Sequence, residues 1–132
     1  MPKPTNTGET RPLVLIVDDD VSVRESLAAV MEAFGFRTRT ACNGFEGLEA
    51  IEAETPSAII TDLQMPDMDG FELLSALRRT RVGIPVVAMS GGIGYDILGA
   101  ARSMGAVATF PKPLPVFDVV DTISALTAHR AA

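Results

Sequence analysis

Short apolar runs alternate along the chain with segments whose apolar residues recur every three or four positions. The runs LVLIV (13–17), AIIT (58–61) and PVVAM (85–89) are typical of strands buried on both faces. FRTRTA (36–41) alternates and is rich in β-branched residues, so it predicts a more exposed strand. ATF (108–110) predicts a brief last strand. This alternation constrains the chain to an α/β fold.

A segment with helical periodicity follows each predicted strand. These segments are 21–34, 44–54, 71–79, about 95–104 and 116–129. Strands that alternate with helices form a parallel sheet covered on both faces. Right-handed crossovers and short connections limit the topology to a doubly wound sandwich. In such folds the ligand binds beyond the carboxyl ends of the strands, at the topological switch point.

Polar side chains follow four of the predicted strands at that edge of the sheet. They are Asp18, Asp19 and Asp20 after the first strand, Asp62 after the third, Ser90 after the fourth and Lys112 after the fifth. Neighbouring carboxylates repel one another, and their desolvation beside an apolar core is costly. Mg²⁺ offsets that cost, because it takes a few carboxylates together with water and phosphate oxygens. Lys112 adds a fixed positive charge.

A site of this composition lacks only a phosphoryl group. A carboxylate can accept a phosphoryl group covalently as an aspartyl phosphate. The metal and Lys112 would neutralise the oxygens of the transferring group, and Ser90 would donate a hydrogen bond to it. The residues therefore indicate phosphoryl transfer to an aspartate.

Four motifs at the strand ends carry a family resemblance: LIVDDD, DLQMPDMDG, MSGG and PKP. In this order and near these spacings they resemble the receiver domain of two-component response regulators, over about residues 12–128. The resemblance implies a flavodoxin-like (βα)5 sandwich with a five-stranded parallel sheet of order 2-1-3-4-5. We expect residues 1–11 to be a disordered lead-in, rich in Pro, Thr and Gly, and residues 12–130 to form the receiver domain.

The resemblance also implies a phosphoacceptor and a set of metal ligands. Asp62 would accept the phosphoryl group. Asp19 would bind Mg²⁺ directly and Asp18 mainly through water, while Asp62 and the backbone carbonyl of Gln64 would complete the protein ligands. Asp20 is expected to cap the first helix and not to bind the metal.

The resemblance assigns the switch to Ser90 and Thr109. Ser90 would be the switch hydroxyl, and Lys112 would pair with the phosphoryl group and precede a cis proline. Receivers usually carry Tyr or Phe three residues before this lysine, where the chain has Thr109. We therefore expect the 90–95 backbone to reorganise in place of the usual aromatic ring, with Tyr95 as a possible reporter. Gly92 has no side chain to orient a hydrolytic water, so we expect slow self-dephosphorylation.

Composition bears on the partners. The net charge of −6 argues against direct binding of nucleic acid. No apolar run approaches a membrane-spanning length, and the N-terminus has no signal-peptide pattern. A single cysteine, Cys42, fits a reducing cytoplasm. The expected partners are a histidine kinase or histidine phosphotransfer protein as phosphoryl donor and a protein target for the output.

Four functional readings follow from these residues. The first is a receiver that is not an enzyme, and it is expected to stand alone because the chain ends near the end of its last helix. The second is a phosphorelay shuttle or phosphate sink. The third is a phosphohydrolase with an Asp nucleophile, which is disfavoured because Leu63 and Gln64 follow Asp62 without a D-x-D pair. The fourth is the receiver fragment of a longer regulator or hybrid kinase.

Overall fold

The computed structural model describes residues 11–80, 83–92 and 96–131, in which five strands alternate with five helices. The strands are β1 (Leu13–Val17), β2 (Arg37–Ala41), β3 (Ala58–Asp62), β4 (Val86–Ser90) and β5 (Ala108–Pro111). The helices are α1 (Val21–Ala33), α2 (Gly44–Ala53), α3 (Gly70–Thr80), α4 (Ile97–Ser103) and α5 (Val116–Ala131). The predicted α/β alternation is confirmed.

The strands form one parallel sheet in the order β2-β1-β3-β4-β5, as predicted. The chain moves from β1 outward to β2 and then returns across β1 to β3, so the order reverses between β1 and β3. At this reversal Val17 pairs with Thr61. The residues that follow these two partners, Asp18 and Asp62, therefore lie side by side at the switch point.

Two apolar clusters lie on the two faces of the sheet. Leu15 and Val17 belong to one cluster, which packs against side chains of α2, α3 and α4. Val14 and Ile16 belong to the other, which packs against α1 and α5. Because neighbouring strand residues point to opposite faces, a strand buried on both sides must be continuously apolar. This accounts for the unbroken apolar runs of the sequence.

Side chains at the helix ends satisfy free backbone groups. Asp20 Oδ1 accepts a hydrogen bond from the Ser22 N–H at 2.8 Å at the start of α1, so its predicted capping role is confirmed. At the start of α3, Asp69 Oδ1 accepts from the Glu72 N–H and Glu72 Oε1 accepts from the Asp69 N–H. This reciprocal pair is a capping box. Gly35, with φ of 94°, ends the α1 region in the left-handed conformation that favours glycine.

Several boundaries differ from the predicted ones. Asp62 and Ser90 were expected to follow their strands, but each is the last residue of its strand, because Asp62 pairs with Met89 and Ser90 with Pro111. Helix α4 is also shorter than the predicted 95–104. Disorder was expected for residues 1–11, of which 1–10 lie outside the described residues. Tyr95, for which a reporter role was expected, also lies outside them. Within the described ranges, no helix has both the length and the apolar character for a membrane crossing.

Candidate functional site

Three carboxylates meet at the switch point. Carboxylate oxygens of Asp18, Asp19 and Asp62 all lie within 4.8 Å of one another. Asp18 is fully buried, Asp62 is 5% exposed, and Asp19 is open to solvent. The fold therefore brings the predicted acidic residues together, with one member at the mouth of the cluster and two below it.

Asp18 is the most fully bonded of the three. Its Oδ1 accepts a hydrogen bond from the Asp20 N–H at 2.9 Å, and its Oδ2 accepts from Nζ of Lys112 at 2.9 Å. Nη1 of Arg24 donates to the backbone carbonyl of Asp18 at 2.8 Å. These contacts fix both the side chain and the backbone of the buried acid.

Asp62 has fewer compensating contacts. Nζ of Lys112 lies 3.4 Å from its Oδ2, and the backbone N–H of Gln64 lies 3.5 Å from its Oδ1. Burial and the nearby charge of Asp18 raise the pKa of the Asp62 carboxyl, although Lys112 and the Gln64 N–H oppose the rise. An added positive charge would therefore stabilise the ionised carboxylate of Asp62.

Lys112 connects the cluster to β5. Burial disfavours its ammonium, but the hydrogen bond to Asp18 and the negative charges of Asp62 and Asp18 outweigh burial and raise the pKa of Lys112. Its backbone N–H donates to the carbonyl of Ser90 at 2.9 Å, which places it beside β4. The Lys112–Pro113 peptide bond is cis, as expected.

The donor set of the cluster suits Mg²⁺. Three carboxylates at one point offer hard oxygen ligands with a shared negative charge, and Asp19 faces solvent, from which bound waters can come. Asp18, Asp19 and Asp62 could hold the ion. The carbonyl of Gln64, the fourth predicted ligand, belongs to the loop whose N–H approaches Asp62.

The loop after Asp62 folds back tightly on its own strand. The Gly70 N–H donates to the carbonyl of Leu63 at 3.3 Å. A Cβ at Gly70 would collide with the carbonyl oxygen of Asp62 and approach Cα of Leu63 to 2.8 Å. Asp67 has φ of 67°, in the left-handed region. The turn therefore requires glycine at position 70.

Ser90 is buried, and its hydroxyl has two partners. Ser90 Oγ donates to Oε1 of Gln64 at 3.1 Å and accepts from the Gly92 N–H at 2.9 Å. Ser90 follows Met89, the register partner of Asp62, so it lies at the same strand edge as the phosphoacceptor candidate. Ser90 therefore lies close to the loop that follows Asp62, as predicted, and the side chain of Gln64 makes the contact.

Thr109 lies in β5 and bonds away from the acidic cluster. Its Oγ1 accepts a hydrogen bond from Nη1 of Arg102 at 2.6 Å, near the end of α4. The sequence analysis treated Thr109 only as a missing aromatic ring and did not find Arg102. It also did not find Arg24, which donates to the backbone carbonyl of Asp18.

An apolar groove adjoins the site. It has a volume of about 310 Å³ and runs between α1 and the segment after β5. The residues that line it are Ser22, Val23, Ser26, Leu27, Val30, Lys112, Pro113, Leu114 and Val116. Near it the rings of Phe34 and Phe117 meet edge to face, with centroids 6.2 Å apart. Lys112 lines the groove and also pairs with Asp18 and Asp62 of the acidic cluster.

Known proteins are similar to this chain in sequence and architecture. The transcriptional regulatory protein PrrA of Mycobacterium bovis is 35% identical over 127 residues, which cover 96% of this chain and 54% of PrrA. The chain thus spans about half the length of that relative. Sporulation initiation phosphotransferase F of Bacillus subtilis is 30% identical over 110 residues, covering 83% of this chain and 89% of the relative.

Solved structures of other proteins have the same architecture. The receiver domain of the Francisella response regulator 1452 superposes with a TM-score of 0.85 at 26% identity, over 91% of this chain and 99% of that one. The family model for the response regulator receiver domain matches residues 14–124, which include every residue of the acidic cluster and Lys112. The chain belongs to the response regulator receiver domain family.

Proposed function

We propose that Asp62 is the phosphoacceptor of this receiver domain. The observation that carries the proposal is the position of its buried carboxylate, which shares a cluster with Asp18 and Asp19 and lies 3.4 Å from the ammonium of Lys112. An oxygen of Asp62 forms a bond to phosphorus while the P–N bond of a phosphohistidine donor breaks. The electron pair of that bond returns to the imidazole nitrogen.

The surrounding residues prepare the carboxylate for this reaction. Mg²⁺ held by Asp18, Asp19, Asp62 and the Gln64 carbonyl would neutralise negative charge on the transferring group. Lys112 supplies a second positive charge, which also favours the ionised, nucleophilic form of Asp62. The hydroxyl of Ser90 donates to a phosphoryl oxygen once the group is in place.

The phosphoryl donor is a histidine kinase or a histidine phosphotransfer protein. Such a donor must bring its histidine to the mouth of the acidic cluster. Docking of the donor in the groove between α1 and the segment after β5 is supported by Lys112, which lines the groove and pairs with Asp18 and Asp62. The rest of the groove lining is largely apolar. We place the output, a contact with a target protein, on the α4–β5–α5 face. No direct contact with nucleic acid is proposed for an acidic domain of this kind.

A phosphorelay shuttle or phosphate sink is the second candidate. It is supported by Thr109, a short side chain at the position of the usual aromatic switch, since a shuttle needs the acceptor chemistry but not the conformational output. Return of the phosphoryl group from Asp62 to a histidine acceptor would distinguish the shuttle. We further propose that the receiver domain extends over 12–130, works in the cytoplasm and turns over no substrate of its own.

Intact-mass measurement after incubation with acetyl phosphate tests the acceptor. We expect one phosphoryl adduct that requires Mg²⁺ and is absent from Asp62→Asn. Asp20→Asn is the matched control, because it changes a neighbouring carboxylate while asparagine caps a helix as well as aspartate does. The adduct should persist in this variant. An adduct that survives Asp62→Asn would contradict the assignment, and sustained release of phosphate from small monoesters would revive the phosphohydrolase.

A further inference from the structure

The hydroxyl of Ser90 is already committed to a side chain of the phosphoacceptor loop. Its single proton is donated to Oε1 of Gln64, and its oxygen accepts the N–H of Gly92. Ser90 is 3% exposed, whereas Gln64 lies on the surface. The side chain of a surface residue therefore reaches inward to bond a buried hydroxyl.

A serine hydroxyl has one proton, so it cannot donate to two acceptors at once. If Ser90 donates to a phosphoryl oxygen on Asp62, its bond to Gln64 must break first. Oε1 of Gln64 is thus an internal competitor of the phosphoryl group for the same proton. The competition is local, because Gln64 is two residues from Asp62 and Ser90 is one residue beyond its register partner.

Gly92 provides the space for this contact. A Cβ at position 92 would lie 2.9 Å from Oε1 and 3.0 Å from Nε2 of Gln64 and 2.6 Å from Cδ1 of Ile97, so the ends of these side chains would have to shift. Glycine at 92 thus lets the amide of Gln64 lie over Ser90. The absence of a side chain at position 92 therefore leaves room for the contact between Gln64 and Ser90.

We propose that Gln64 is a positioning residue whose side chain acts through Ser90. Its hydrogen bond keeps the switch hydroxyl in the unphosphorylated arrangement and opposes engagement of a phosphoryl group. This inference rests on the proposed function. It assigns a role to the side-chain amide of Gln64 that is separate from the metal-binding role proposed for its backbone carbonyl.

Gln64→Met removes the acceptor and keeps the length of the side chain and the backbone carbonyl. The probe is beryllofluoride, a phosphoryl mimic, at saturating Mg²⁺, with its dissociation constant measured by calorimetry. Loss of one neutral hydrogen bond that must otherwise be broken should tighten binding roughly threefold to tenfold. Mg²⁺ is titrated alone in both proteins, so that any change at the metal site is separated from a change in binding of the phosphoryl mimic.

A double-mutant cycle with Ser90→Ala separates this role from others. Without the hydroxyl there is nothing to compete for, so Gln64→Met should leave beryllofluoride affinity unchanged in the Ser90→Ala background. An equal gain in both backgrounds, or no gain in either, would overturn the role of Gln64 while leaving Asp62 as acceptor. Failure of the wild-type protein to bind beryllofluoride or to gain an adduct at Asp62 would overturn the proposed function itself.

Discussion

Lys112 and Asp18, 94 positions apart in the chain, form a 2.9 Å ion pair, shorter than the 3.4 Å contact between Lys112 and Asp62. The lysine therefore compensates the fully buried acid of the cluster more closely than it approaches the acceptor. A buried carboxylate that loses the cation paired with it is left uncompensated at a high cost in free energy. The stability of the fold and the chemistry of the site thus depend on the same ammonium.

Lys112→Met should destabilise the domain by about 2–4 kcal/mol in the absence of Mg²⁺, because the negative charge of Asp18 would then lack its partner. Urea unfolding followed by far-UV circular dichroism measures this loss. The matched control is the same substitution in an Asp18→Asn background, where the charge to be compensated is absent. A loss of the same size in both backgrounds would show that the ion pair is not its cause.

Asp62→Asn should make the apo protein more stable at pH 7. Burial and the charge of Asp18 raise the pKa of Asp62 in the folded state. The folded state therefore binds a proton at the Asp62 carboxyl more tightly than the unfolded chain does. Stability from this group is therefore lost as pH rises from the unfolded to the folded pKa. The advantage of Asp62→Asn should shrink as pH falls through that window, and thermal unfolding from pH 4 to 8 measures it. A variant less stable than the wild type at pH 7 would contradict this account.

Gly70→Ala should cost roughly 2–4 kcal/mol, because its Cβ would collide with the backbone of Asp62 and Leu63 and the backbone cannot move aside cheaply. Gly83→Ala is the control, since no described atom beyond its chain neighbours lies within 4 Å of the added Cβ. We expect the control to change the free energy of unfolding by less than about 1 kcal/mol. Equal effects of the two substitutions would show that the turn tolerates a side chain.

Arg102→Met and Thr109→Val should show a small coupling, about 0.5–1 kcal/mol, because their hydrogen bond is exposed to solvent. Hydrogen exchange should nevertheless speed up where α4 meets β5. Neither change should slow phosphorylation of Asp62 by acetyl phosphate, because both residues lie outside the acidic cluster. A slower reaction in Thr109→Val would show that this position does take part in the chemistry.

Alkylation of Cys42 should require higher pH than alkylation of an ordinary thiol. A hydrogen bond to the Glu46 carboxylate, with burial and its negative charge, raises the pKa of Cys42, so less thiolate is present at a given pH. Glu46→Gln should therefore increase the rate with iodoacetamide at pH 8. Glu49→Gln, on the same helix, should leave it unchanged. A rate that does not respond to Glu46→Gln would remove the carboxylate as the cause.

The sequence was sufficient for the architecture and for the acidic cluster. Strands buried on both faces must be continuously apolar, and parallel strands place their carboxyl ends at one edge, so Asp18, Asp62 and Lys112 could be assigned to one place. Asp20 could be recognised as a cap because capping is local.

Contacts that depend on side-chain rotamers and on the packing of two elements could not be predicted in this way. The bond between Gln64 and Ser90 joins two loops, and the bond between Arg102 and Thr109 joins a helix end to a strand. Spacing contains no signal for either. The requirement for glycine at position 70 likewise arises from the path of the turn, which returns to the backbone of Asp62.

The groove beside α1 shares Lys112 with the acidic cluster, and its other lining residues, such as Val23 and Leu114, carry no charge. Under the docking proposed above, substitutions of these uncharged residues would change which donor fits without altering the groups that receive the phosphoryl group. After gene duplication, two copies of such a domain could therefore diverge in partner preference while both remained chemically competent. Because the uncharged lining of the groove is distinct from the three carboxylates, a few surface mutations would be enough to create insulated signalling routes under this proposal.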